Sequence, residues 1–254
     1  DEKIFVVPVV LNYHFVMEAN KLITEHLKAE GKENYLSEDE FKNSFKTTKF
    51  LYKFFTATPK IIISFGKPMD VLGNEVDFDG NSFNKIGQKV NIEDFFTTED
   101  QLTENKQRNR VYTARLAEKI TQAFKENNIV FTSHLVAFVA FEIIKKRHQQ
   151  LSIYEILRLP KEELTIDYNS FEKGVQKMKD LLLELKAKKA LKLSEEIYKD
   201  TRFIINNGIK FLGTYHPKPV LKKSKQKTIL ISDMKLLYFY RNRSLGYDIE
   251  NKLS

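Results

Sequence analysis

The sequence predicts a mixed chain: an α/β N-terminal part followed by a mainly α-helical part with one β-hairpin. Three observations carry this expectation. Two apolar runs rich in β-branched residues, at 4–13 and 60–68, each contain a proline and read as strands. From residue 107 onward, apolar residues recur at helical spacing. Near the C-terminus, two further strand-like runs, 210–215 and 228–232, flank a lysine-rich loop. The composition shifts near residue 105, so the expected parts are 1–105 and 106–254.

The first run, Ile4, Phe5, Val6, Val7, Pro8, Val9, Val10 and Leu11, has the unbroken apolar character of a strand buried on both faces. Proline donates nothing to a ladder, so Pro8 marks a strand end or a bulge. The second run, Ile61, Ile62, Ile63, Ser64 and Phe65, ends in Gly66, Lys67 and Pro68. The two strands are expected in one sheet, with turn chemistry at their ends. The chain opens directly on its first strand, which raises the expectation that it is cut from a longer protein.

Between the strands, Phe15, Val16, Ala19, Leu22, Ile23 and Leu27 predict an amphipathic helix over 15–30. A helix start is expected at Ser37 and an aromatic stretch runs over 48–57. Residues 70–100 read as an extended excursion without an internal repeat. Within it, Asp77, Asp79 and Asn81 superficially suggest a calcium loop. The third acidic position, the glycine at position six and the closing glutamate are missing, so a turn is expected.

Tyr112, Leu116, Ile120 and Phe124 then step by fours along a helix from 107 to 125. Ser133 is the expected N-cap of a buried helix over 135–146, too short to span a bilayer. Helices are also expected at 151–159, at 170–193, and at 194–206 with Asn207 and Gly208 as its stop. A helix or strand is expected at 234–243.

With 42% apolar residues, the chain can bury a core. It has no cysteine, which excludes disulfides and thiol chemistry. The net charge of +8 favours anionic partners such as phosphate esters, nucleic acid or an anionic membrane.

Several stretches, taken in order, resemble the large membrane-associated glycerol-3-phosphate 1-O-acyltransferases of bacteria and, with them, the mitochondrial enzymes. Ile4 to Val9 with its proline is similar to the fourth conserved block of glycerolipid acyltransferases, followed by Asn12, Tyr13, Val16, Met17 and Glu18. Ile62 to Pro68 resembles the family's strand ending in Phe-Gly-(Glu or Lys)-Pro. Thr132 to Phe138 resembles the helix that follows the acyltransferase core, and Tyr240, Arg241 and Asn242 the family's Tyr-Arg-Asn. The resemblance implies that 1–105 holds the last strands of the acyltransferase sheet. It also implies that the intact protein transfers a fatty acyl group from acyl-CoA or acyl-carrier protein to the sn-1 hydroxyl of glycerol-3-phosphate, without metal or bound cofactor. The family works at the cytoplasmic face of an anionic membrane, here peripherally.

The family's catalytic pair is a histidine and an aspartate in the pattern H-x-x-x-x-D, the histidine acting as general base on the glycerol hydroxyl. Five residues after His14, His26, His134, His148 and His216 stand Ala19, Gly31, Val139, Ile153 and Leu221. No catalytic residue is therefore expected in this chain. The family's arginine-bearing, phosphate-gripping block is also absent. Both belong to an expected missing N-terminal half, without which the chain should be inactive.

Pro8 is then a candidate for shaping the substrate site or simply the end of a core strand. His134 reads as structural rather than as a base. Lys222, Lys223 and Lys225 are candidates for contact with anionic lipid headgroups, or a solvated hairpin loop. Tyr240, Arg241 and Asn242 read as an anchor for the C-terminus. The order of three helices and two strands around a basic loop over 151–243 also resembles a winged helix, giving an alternative of nucleic-acid binding or protein interaction. Nucleic acid is the disfavoured partner, because no Arg, Asn or Gln cluster is expected at a helix start.

Overall fold

The computed structural model describes residues 3–14, 16, 18–29, 60–98, 101–212, 216 and 218–253. The expected helix start at Ser37 and the aromatic stretch 48–57 lie outside them. In chain order the elements are strand β1 (Val9–Tyr13), helix α1 (Ala19–Ala29) and strands β2 (Ile61–Phe65), β3 (Glu75–Val76), β4 (Ser82–Phe83), β5 (Lys89–Val90), β6 (Thr97–Thr98) and β7 (Gln101–Leu102). Next come α2 (Lys106–Asn127), β8 (Ile129–Val130), α3 (Thr132–Arg147), α4 (Ile153–Ile156), β9 (Thr165–Asp167), α5 (Tyr168–Ala187), β10 (Lys192–Leu193) and α6 (Thr201–Leu212). The chain finishes with β11 (Leu221–Lys223), β12 (Thr228–Ile231), α7 (Met234–Arg241) and α8 (Ile249–Leu253). It divides into two compact units, residues 1–12 with 63–128 and residues 13–62 with 129–254. The composition shift near 105 marks the start of α2, whose N-cap Asn105 accepts from the Arg108 N–H.

In the first unit, β1 and β2 pair in one two-stranded sheet, as their apolar runs suggest. They are not buried on both faces. Val10 and Asn12 point inward, whereas Val7, Val9 and Leu11 are 47%, 40% and 49% exposed. Ser64 is buried while Ile63 and Phe65 face water. The strict alternation is that of a half-buried strand, and a continuous apolar run hides it because both faces carry the same residue type.

Residues 70–90 hold a repeat that periodicity aimed at helices and strands passes over. Asp70, Asp77 and Asn84 stand seven apart, each followed three residues on by Gly73, Gly80 or Gly87 and four on by Asn74, Asn81 or Gln88. Each leading side chain caps its own turn. Asp70 Oδ1 accepts from the N–H of Leu72 at 2.8 Å and of Asn74 at 3.0 Å, while Oδ2 accepts from Asn74 Nδ2 at 3.0 Å. Asp77 repeats this with Asp79 and Asn81, and Asn84 with Ile86 and Gln88. The three glycines have φ of +79°, +74° and +78°, the left-handed position that closes a short hairpin loop and that other residues enter at a cost. The turns stitch β3, β4 and β5 into an antiparallel sheet in sequence order.

The second unit is built around α3. Every residue from Thr132 to Phe141 is buried, so the helix is enclosed on all sides by α5, α6 and α7. The expected cap Ser133 lies inside this helix, which starts one residue earlier with Phe131 at the N-cap. Helix α6 corrects two expectations. It begins at Thr201, after a 3-10 turn over Glu195–Tyr198, and it runs through Asn207 and Gly208 to Leu212. The expected strand 210–215 is thus the last turn of α6 as far as it is described. Gly208 is there for proximity rather than as a stop, since a Cβ would lie 2.6 Å from the Thr132 carbonyl oxygen and 2.7 Å from Val136 Cγ1. Helix α5 ends at Ala187, short of the expected 193, because Lys192 and Leu193 pair in parallel with Ile129 and Val130.

The expected hairpin is β11–β12, with register Leu221 to Ile231 and Lys223 to Ile229. β9 adds to the other edge of β12, giving the three-stranded order β11–β12–β9. Three residues are too short a run for strand periodicity to reveal β9. No helix of the described residues is long and apolar enough to cross a membrane.

Candidate anion-binding site

The hairpin separates the three candidate lysines. On β11, neighbouring side chains point to opposite faces of the sheet, so Lys222 and Lys223 diverge. Lys223, Lys225 and Lys227 line one wall of an open cavity of about 400 Å³, and Lys222 does not. A second wall is the first turn of α5, with Tyr168, Asn169 and Glu172, and a third is α6, with Arg202 and Asn206. Arg202 and Asn206 share a helix face at i, i+4 spacing. The expected helix 194–206 already put both on one face; what the sequence did not show is that this face meets α5 and the hairpin.

Local chemistry fixes the wall positions. Asp167 caps α5 by accepting from the Ser170 N–H at 2.8 Å, and this bond holds its carboxyl below the usual range. The Tyr168 N–H donates to the Lys227 carbonyl at 2.9 Å, pinning the hairpin turn to the start of the helix. Lys223 Nζ lies 4.3 Å from the centre of the Tyr168 ring, a cation–π contact. Arg202 Nε lies 3.4 Å from Glu172 Oε1. Among the described residues, no carboxylate pairs with Lys223, Lys225 or Lys227. Lys227 has φ +55°, in the loop position where glycine is the ordinary residue.

The remaining candidates have structural surroundings. Pro8 is buried just before β1; its carbonyl accepts from the Gly66 N–H at 2.8 Å, and its ring packs on Gly66. His134 is fully enclosed and its Nδ1 accepts from the Phe131 N–H at 3.3 Å. Burial, reinforced by Arg243 and His14, pushes its pKa well below the usual value. His14 Nδ1 and Ser133 Oγ, 3.1 Å apart, have the parts of a base and a nucleophile. They are 2% and 0% exposed, so no substrate reaches them, and burial lowers the His14 pKa to about 4. The hydroxyl of Tyr240 meets His216 Nε2 at 2.7 Å and accepts from the Val16 N–H at 3.2 Å. Arg241 Nη1 donates to Glu142 Oε1 at 2.6 Å, with its guanidinium over Phe141 and Tyr238. Burial raises the Glu142 pKa and Arg241 opposes that rise, the balance of an internal anchor. Asp77 spends its carboxylate on its own turn. No cluster of three metal-ligating side chains occurs among the described residues. Compared with known proteins, the chain matches no family model, no curated protein and no solved structure.

Proposed function

We propose that this chain is the C-terminal part of a glycerol-3-phosphate O-acyltransferase and supplies the last strands of its α/β sheet. The intact protein moves a fatty acyl group from acyl-CoA or acyl-carrier protein to the sn-1 hydroxyl of glycerol-3-phosphate in phospholipid synthesis. The catalytic histidine and aspartate come from an N-terminal half, no metal or bound cofactor takes part, and the protein acts peripherally at the cytoplasmic face of an anionic membrane. The observation that carries this reading is the open apolar face of β1 and β2. Val9, Leu11, Ile63 and Phe65 project from one small sheet into water, with Val7 exposed just before β1. A contiguous exposed apolar patch of this kind marks a surface made to be covered. Helices of the N-terminal half, packed on the face of an acyltransferase sheet that continues through β1 and β2, would cover it. The sequence resemblance supports the same occupant, because one block, Ile62–Pro68, runs along β2 and the other, Ile4–Val9, leads into β1.

The test is acylation of glycerol-3-phosphate by the complete protein and by the 254-residue chain. Transfer by the complete protein and none by the chain is expected. Transfer by the chain alone would overturn the assignment of catalysis upstream, and none by the complete protein would overturn the family. In the complete protein, Val9→Asp with Phe65→Asp should abolish transfer. A second reading, a nucleic-acid-binding winged helix, is favoured by the helix–strand–helix–helix–strand–strand order of α3, β9, α5, α6, β11 and β12 and the position of β12 between β9 and β11. Binding of a duplex oligonucleotide by the 254-residue chain would favour that reading.

A further inference from the structure

We propose that the cavity between the β11–β12 turn, α5 and α6 is a binding site for a phosphate group. This inference stands on the second unit alone and holds whether or not the acyltransferase reading does. Four cationic side chains, Arg202, Lys223, Lys225 and Lys227, converge on one concavity, against the single carboxylate of Glu172. Four like charges gathered against one carboxylate raise the energy of the empty site and favour whatever anion fills it. Two of the four cations have a partner in the wall. Tyr168 holds the Lys223 ammonium over its ring, and Glu172 holds the Arg202 guanidinium at its Nε edge.

The turn supplies one of these charges. Lys227 occupies the left-handed region at φ +55°, where glycine would sit without strain. A lysine there costs stability and adds a charge facing the cavity. Lys189 and Asp248 adopt the same region outside the cavity, so what bears on binding is the place of Lys227 in the lining. Asn169 and Asn206 add amide groups to the lining, suited to a ligand that carries hydroxyls beside its phosphate. A cavity of about 400 Å³ holds a phosphate group with a small polar substituent and falls at the low end of ligand pockets. Its concave shape suits one phosphate group better than the extended backbone of a duplex. The same chemistry is presented by a soluble phosphomonoester and by the headgroup of an anionic phospholipid.

The experiment uses the 254-residue chain with two probes: inorganic phosphate followed by calorimetry, and vesicles of phosphatidylcholine carrying phosphatidic acid followed by co-sedimentation. Lys223→Gln with Lys227→Gln should weaken binding of whichever probe is taken by roughly thirtyfold, the loss expected for two lysines at an anionic group. Lys222→Gln removes the same kind of charge from the opposite face of the strand and should change binding by less than about twofold. Binding of phosphate in solution identifies a soluble ligand, and binding only of the vesicles identifies a lipid headgroup; either supports the site. Lys227→Gly separates binding from folding, since it relieves the strained backbone and should raise the unfolding midpoint while weakening binding. The proposal is overturned if neither probe binds or if Lys222→Gln weakens binding as much as the pocket variants do. Binding of a duplex oligonucleotide alone would also overturn it.

Discussion

Helix α3 is buried from Thr132 to Phe141 and enclosed by three other helices, so the second unit is organised around one core. In the first unit, the buried apolar side chains among the described residues are Pro8, Val10, Met69 and Leu72, set among buried Asn12, Ser64, Asp70, Asn74, Ser82, Asn127 and Asn128. One unit is held by non-directional burial, the other by side chains that cap the turns beside them. Burial tolerates many apolar residues of suitable volume. A capped turn tolerates few, because donor, acceptor and positive-φ glycine must stand at fixed offsets. The weakly buried unit also carries the exposed apolar residues of β1 and β2.

The contrast breaks first in the core. Phe138→Ala should cost the second unit about 4 kcal/mol, the usual loss for a buried phenylalanine, and leave the 70–90 turns intact. Denaturant unfolding, with amide exchange of the turns as the second readout, checks both halves of that expectation.

Acid should act on the second unit next. His14 and His216 are held neutral by burial down to about 4, against 6.5 in the unfolded chain. As pH falls below 6.5 the unfolded chain takes up these protons first, so stability present above 6.5 is lost on the way to 4. Each histidine contributes at most about 3 kcal/mol to that loss. The first unit contains no histidine, so its turns should hold through this window. Asp77, held below the usual carboxylate range first by the Asn81 amide, should release its turn only in stronger acid. Amide exchange of each unit at several pH values tests this directly; simultaneous loss of both units would refute it.

Smaller still is the effect of Asp70→Ala, which strands the N–H groups of Leu72 and Asn74 and the Asn74 amide in a buried turn. A loss of about 2 kcal/mol is expected, confined to the first unit and read from faster exchange of the Leu72 amide. Asp70→Asn keeps one acceptor oxygen and should recover part of it.

The amphipathic or apolar spacing of α1, α2, α3 and α5 made those helices legible in the sequence, because hydrophobic burial repeats with the helical period. So were β1 and β2 as paired strands, the β12 strand and the turn at Asp77. The sequence also held the seven-residue turn repeat, legible to a reading that follows Asx–glycine offsets rather than apolar period. What it did not decide was which partner each residue meets. Asn207 and Gly208 have the local chemistry of a helix stop, yet α6 continues through them because α3 approaches so closely that only glycine fits. Lys222 and Lys223 are equivalent as letters, and only the alternation of β11 and the position of Tyr168 place one in the cavity and the other on the far face. Arg202 and Asn206 join that cavity through α5 and the hairpin, partners distant along the chain. Local propensity and period are properties of the sequence itself, whereas close approach, facing and the convergence of charges belong to contacts between segments that only the folded chain brings together.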